Sequence, residues 1–181
     1  MKEKVVLIFQ SLFKPAETYR IIQANPERDA SLLLATILPI SMAFPELINP
    51  KTDVWVKVLL LAGGIVITVL SVVLFAHLLN WISGIFKKTD AANSLRLAIP
   101  YAFVPAIVVN FLSLALPAEI AVWLHLLAIL WVLISLTAFV SELKKLDRIR
   151  SFTSVFISVL IWSLPVLVFK IIWPLMAARS N

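Results

Sequence analysis

Five long apolar stretches, separated by short loops whose positive charges collect on alternate sides, constrain this chain more than any other feature. They run over 31–47, 58–86, 95–116, 120–140 and 152–173. A helix of about 20 apolar residues crosses a hydrocarbon core roughly 30 Å thick, and each stretch is near that length. Lys2, Lys4, Lys14, Arg20 and Arg28 precede the first stretch; Lys87, Lys88 and Arg96 lie around the second loop. Lys144, Lys145, Arg148 and Arg150 lie between the fourth and fifth. The other side has Lys51, Lys57 and Arg179, and the loop over 117–119 has no basic residue. The positive-inside rule then predicts a cytoplasmic amino terminus and a carboxyl terminus outside the cytoplasm. The expected fold is all-α: a polytopic membrane bundle of five transmembrane helices with a short amphipathic helix at its amino terminus. Residues 1–30 form the cytoplasmic, interfacial segment and 31–181 the transmembrane domain.

Composition removes the main alternative. Apolar residues make up 61% of the chain and the mean hydropathy is +1.00, whereas soluble domains sit nearer half apolar. The stretches are apolar almost all round, so a soluble bundle could not hide them. A net charge of +6 would suggest nucleic acid in a soluble protein. Here the cations border the spans, and contact with anionic head groups accounts for them, with no nucleic acid as partner. The chain has no cysteine, which excludes disulfides and thiolate metal sites. The apolar run 5–9 is too short for a signal peptide and lacks a small-residue cleavage site. The expected location is the plasma (inner) membrane.

On a helical wheel Val5, Val6, Ile8, Phe9, Leu12 and Phe13 share one face, with Leu7 the residue out of place. That pattern predicts a helix lying in the cytoplasmic interface or docked on the bundle. Pro15 suits the first turn of a second short helix, where Glu17 and Arg20 are spaced to pair. Asp29 or Ser31 is positioned to cap the first span. Gly63, Gly64 and Gly84 are the only glycines, all in the second span, and they predict a central, closely packed helix. Pro39, Pro105 and Pro165 lie inside the first, third and fifth spans and are candidate kinks.

Ionisable groups at membrane depth are the default functional suspects. No Asp or Glu lies mid-span, which argues against ion coupling. His77, Asn80 and Asn110 form the candidate polar intramembrane site; interhelical hydrogen bonding is the simpler reading. Two separated histidines cannot supply the ligands of a zinc site. No nucleophile elbow or phosphate-cradling loop is present, so no catalytic residue, cofactor or metal is expected. The candidate anionic-lipid contacts are Lys4, Lys14, Lys144, Lys145, Arg148 and Arg150.

Two sequence signatures carry a family resemblance. The chain opens with Leu12-Phe13-Lys14-Pro15-Ala16-Glu17-Thr18-Tyr19-Arg20-Ile21-Ile22, and its third span begins Leu97-Ala98-Ile99-Pro100-Tyr101-Ala102-Phe103-Val104-Pro105, a Tyr-x-x-x-Pro pattern. It resembles the Yip domain family of five-span proteins named for interacting with Ypt/Rab GTPases, in particular its short prokaryotic-type members. The resemblance implies a polytopic membrane protein with a cytoplasmic amino terminus. In eukaryotic members it also implies vesicle traffic through GTPases. About thirty residues precede the first span here, so GTPase binding is not expected. The expected function is a non-enzymatic membrane organiser that binds lipids, anionic ones included, or other membrane proteins. The alternative is a small transporter, channel or lipid-translocating bundle.

Overall fold

Helix ends in this protein are set by a few local side chains. In a computed structural model, which describes residues 2–25 and 29–179 and the side chains of 3–25 and 29–165, eight helices and no strand occur among the described residues. They are α1 (Lys2–Phe13), α2 (Pro15–Ala24), α3 (Ser31–Ile48), α4 (Val54–Gly84), α5 (Ala92–Ala102), α6 (Val104–Leu112), α7 (Ala118–Lys144) and α8 (Arg148–Arg179). Asp53 caps α4 by accepting the Trp55 N–H at 2.7 Å. Asp147 does the same for α8 through the Arg150 N–H at 2.9 Å. Lys145 adopts a left-handed backbone (φ 50°), and its N–H returns to the Ser141 carbonyl to close α7.

Four segments are long and apolar enough to cross a membrane: Ser31–Ile48, Val54–Gly84, Ala92–Leu112 and Ala118–Lys144. The third is two helices rather than one. Pro105 has no N–H to offer the Tyr101 carbonyl, and the chain breaks just before it at Phe103 (φ −86°, ψ 0°). Pro39, by contrast, lies inside an unbroken α3, and α8 runs on through Pro165. The predicted fifth span ends among residues whose side chains, Lys170 included, lie outside the described set.

The core sits towards one end of the bundle. Leu79 and Ile82 of α4, Leu95 and Ile99 of α5, Leu136, Phe139 and Val140 of α7, and Val155 of α8 are each at most 1% exposed. This is the basic end, where the α4–α5 loop carries Lys87 and Lys88 and the α7–α8 turn carries Lys145. Edge-to-face ring pairs fasten the helices: Tyr19 with Phe139, Phe44 with Phe111, and Phe75 with Trp162. Helix α4 touches α3, α5 and α8, whereas α5 meets α1, α2, α3, α4, α6 and α7, so the helix at the centre is α5 and not the glycine-bearing α4 as expected. Only 6% of the most apolar window of α4 is buried, and its Leu59, Val66, Ile67 and Leu70 face outward. In hydrocarbon such exposure carries no penalty, so a helix can be packed at one end and bare at the other.

The glycines divide accordingly. A Cβ at Gly64 would lie 3.1 Å from Pro39 Cβ, so this glycine permits the α3–α4 approach. A Cβ at Gly63 or Gly84 would meet nothing within 4 Å, and neither serves close packing as expected. The α1 helix corrects the wheel in a similar way. Leu7, the residue out of place, is buried with Ser11 one turn on, and these two anchor α1 to the bundle. Ile8 and Leu12 lean on the core, while Val5, Val6, Phe9 and Phe13 stay exposed. Trp131 of α7 donates its indole N–H to the Leu12 carbonyl at 2.7 Å.

Candidate functional site

Polar side chains gather in separate knots, and the grouping of His77, Asn80 and Asn110 does not form. His77 lies on an exposed face of α4. Asn80, one turn before the α4 terminus, organises the basic end. Its Nδ2 donates to Asp90 Oδ1 (3.1 Å), its Oδ1 accepts the Ala91 N–H (3.0 Å), and its carbonyl accepts from Lys144 Nζ (3.0 Å). Asp90 Oδ1 also takes the Ala92 N–H and so caps α5. With its side-chain amide and its carbonyl engaged in this way, Asn80 reads as a fastener of the α4–α5 loop rather than a ligand.

Asn110 belongs to the other end of the bundle. Its Nδ2 donates to Ser41 Oγ at 3.0 Å, and His125 Nε2 lies 3.2 Å from its Oδ1. His125 Nδ1 is 2.7 Å from the Ala121 carbonyl. The chain Ser41–Asn110–His125 therefore joins α3, α6 and α7 where the apolar core thins. Asn110→Ala is expected to loosen that end by about 1 kcal/mol, the usual scale of an interhelical bond in membranes. Thermal unfolding in detergent should show a small loss, and adding His125→Ala should cost little more, because both changes break one chain.

The third knot was not visible as a unit in the sequence. Tyr101, buried to 1% exposure, accepts the Ala30 N–H at 2.6 Å and donates to Asp29 Oδ1 at 3.2 Å. Asp29 also receives the Ser31 N–H and the Ser31 hydroxyl, so the expected cap of α3 is the Asp29 carboxylate. Lys4 Nζ donates to the Asp29 carbonyl at 2.8 Å. The start of α3 is thus bound to α1 and to the middle of the third span. Burial is the dominant cause of this arrangement: an amide N–H taken from water must find a partner, and the phenol supplies one.

The basic residues also sort differently from expectation. Lys144 is 1% exposed and its ammonium points at the Asn80 carbonyl, so it is no head-group contact. The reason is register: Lys144 follows Val140 by one turn on the buried face of α7. Lys14 pairs with Glu17 (3.0 Å), Lys145 with Glu142 (2.6 Å) and Arg150 with Asp147 (3.1 Å). Arg148 remains exposed. Arg20 does not pair with Glu17; it reaches across to Glu142 with two parallel bonds of 2.9 Å from Nε and Nη2. The carboxylate lifts the Arg20 guanidinium above its ordinary range. This fork, with the Tyr19–Phe139 contact, fixes α2 across the end of α7.

A family model for the Yip1 domain matches residues 9–177, from within α1 to near the end of α8. The chain belongs to the Yip1 domain family. No curated protein and no solved structure matches it. Both signatures read in the sequence lie within the matched residues, and the structure gives the second a physical content. Within this Yip1 domain, Tyr101 holds the start of α3 and Pro105 breaks the third span beside it. The apolar helices and the family together make it an integral membrane protein.

Proposed function

We propose that this Yip1-domain protein is a five-span, non-enzymatic membrane organiser whose amino terminus is cytoplasmic and whose basic end meets anionic lipids or partner membrane proteins. The observation that carries the reading is α1. It is tied to the bundle through Leu7 and Ser11, yet it presents Val5, Val6, Phe9 and Phe13 outward as one apolar band. In water that band would be costly at about 25 cal/mol per Å2, and against acyl chains it is at rest. The excess of cations at the basic end supports a cytoplasmic placement of the same end. Helix α8 starts there and runs 32 residues, long enough for a fifth crossing.

The natural chain has no cysteine, so single cysteines report without background. Phe9→Cys and Phe13→Cys, spin-labelled in full-length protein in nanodiscs, should be relaxed strongly by oxygen and weakly by a water-soluble nickel complex. Ser11→Cys should be shielded from both. Strong nickel relaxation at positions 9 and 13 would remove the membrane-embedded helix. A cysteine added at each terminus in turn, reacted with an impermeant maleimide in intact cells, should label the carboxyl terminus alone. Labelling of both ends from outside, or of neither, would remove the five-span topology.

A further inference from the structure

An open groove of about 540 Å3 runs between α2, α7 and the first turns of α8. Its wall is mostly apolar, with Ile134 and Ala138 of α7 and Phe152 of α8, while Thr137 and Ser141, which also line it, donate their hydroxyls to the Leu133 and Leu146 carbonyls. Its mouth carries Arg20, Glu142 and Arg148. From Glu142 to Ile134 the furrow descends about 12 Å along α7, at 1.5 Å per residue. Apolar wall and charged mouth therefore stand at different depths, as the acyl chain and phosphate of one lipid do.

The charges around the mouth do not cancel. Glu17 is matched by Lys14 and Asp147 by Arg150. Glu142 alone serves both Arg20 and Lys145. That leaves Arg148 and half of the Glu142 pairing unmatched, a surplus of two positive charges over the carboxylates nearby. A guanidinium suits phosphate oxygens, which it binds through paired N–H donors. A free phosphate would use the mouth and leave the furrow bare, whereas an uncharged chain would use the furrow alone. A zwitterionic lipid would bring a further ammonium to a mouth already in positive excess.

We propose that this groove is a binding site for one anionic glycerophospholipid of the leaflet at the basic end, with its phosphate at Arg148 and Arg20 and one acyl chain along Ile134, Ala138 and Phe152. The proposal rests on the lipid-binding reading above and gives it a particular site. Helix α2 is then one wall of a lipid site, held in place by the Arg20–Glu142 fork.

The test is native mass spectrometry of the full-length protein released from detergent with phosphatidylglycerol or phosphatidylcholine of the same chain length. Wild type should retain one phosphatidylglycerol in preference to phosphatidylcholine. Arg148→Gln should lower that retention about fivefold, the scale of one arginine near an anionic head group. Phe152→Ser, which shortens the furrow wall, should also lower it, and Lys88→Gln, an exposed cation on another loop, should not. Melting temperatures in the same detergent identify any variant that fails to fold. Ala138→Leu, which fills the furrow from a different helix, then replaces Phe152→Ser. Equal retention of the two lipids, or equal loss in Lys88→Gln and Arg148→Gln, would overturn the proposal. Displacement of the lipid by millimolar inorganic phosphate would also overturn it, since the mouth alone would then be the site. Retention in detergent does not depend on orientation or on α1 depth, so this result and the cysteine results fail separately.

Discussion

Tyr101→Phe is expected to destabilise the bundle by about 2 kcal/mol, although it deletes a single oxygen. The ring stays and its packing in the core is unchanged, so the loss is the hydroxyl and what it satisfies. The Ala30 N–H lies in a buried bond, and its acceptor is the Tyr101 hydroxyl at 2.6 Å. Phenylalanine leaves that N–H without an acceptor and takes a donor from the Asp29 carboxylate. An orphaned buried donor costs about 1–3 kcal/mol, more than the net worth of an ordinary hydrogen bond. For a chain of this size the melting temperature should fall by roughly 5 °C, read by fluorescence-detected size exclusion after heating in detergent. Asp29→Asn keeps an acceptor for the Ser31 N–H and should cost less. The double variant should cost less than the sum of the two, because both act on one knot. A Tyr101→Phe protein that melts with wild type would show that the hydroxyl is not what holds the start of α3.

What the sequence exposed and what it hid follow from the range of the interactions involved. Four of the spans were legible because hydropathy is a sum over some twenty residues, and their limits moved by at most four positions: 120–140 became Ala118–Lys144. The cap of α3 was legible only as a choice between Asp29 and Ser31, two residues apart, and the structure gives it to the Asp29 carboxylate. What could not be read was which face meets which neighbour. Lys144 and Lys145 are adjacent and equally basic, yet one is buried against Asn80 and the other pairs with Glu142 at the surface. A turn of about 100° per residue separates their fates, and only the position of α4 says which is inside. Leu7 was misjudged for the same reason. A wheel ranks faces by hydropathy, and a helix between lipid and protein has two apolar neighbours, so its most apolar face need not be the docked one. Asn80 and Asn110 looked alike in sequence. Their partners, Asp90 and Ser41, are set by which helix ends the topology brings together.

Gly64→Leu is expected to destabilise the α3–α4 pair by about 1–3 kcal/mol, while Gly63→Leu is expected to be neutral. The two positions are neighbours on one helix at nearly one depth, so hydropathy and helix propensity change almost equally in both. They differ in what stands opposite. At Gly64 even a Cβ would come within 3.1 Å of Pro39 Cβ, and at Gly63 it would meet nothing within 4 Å. Pro39 cannot yield as a flexible side chain would, because its Cβ is held in a ring within an unbroken helix. One of the two backbones must therefore shift, across the extensive α3–α4 pairing. Ala at 64 should be tolerated with a small loss, since a displacement of a few tenths of an ångström relieves it, and Leu should not. The comparison is made by heating Gly63→Leu, Gly64→Ala and Gly64→Leu in one detergent and reading the folded fraction. Loss at 64 with none at 63 separates close approach from greasiness as the reason for the glycine. Equal losses at both would mean that α4 is packed more evenly than its exposed outer half implies, with a further surface lying against Gly63.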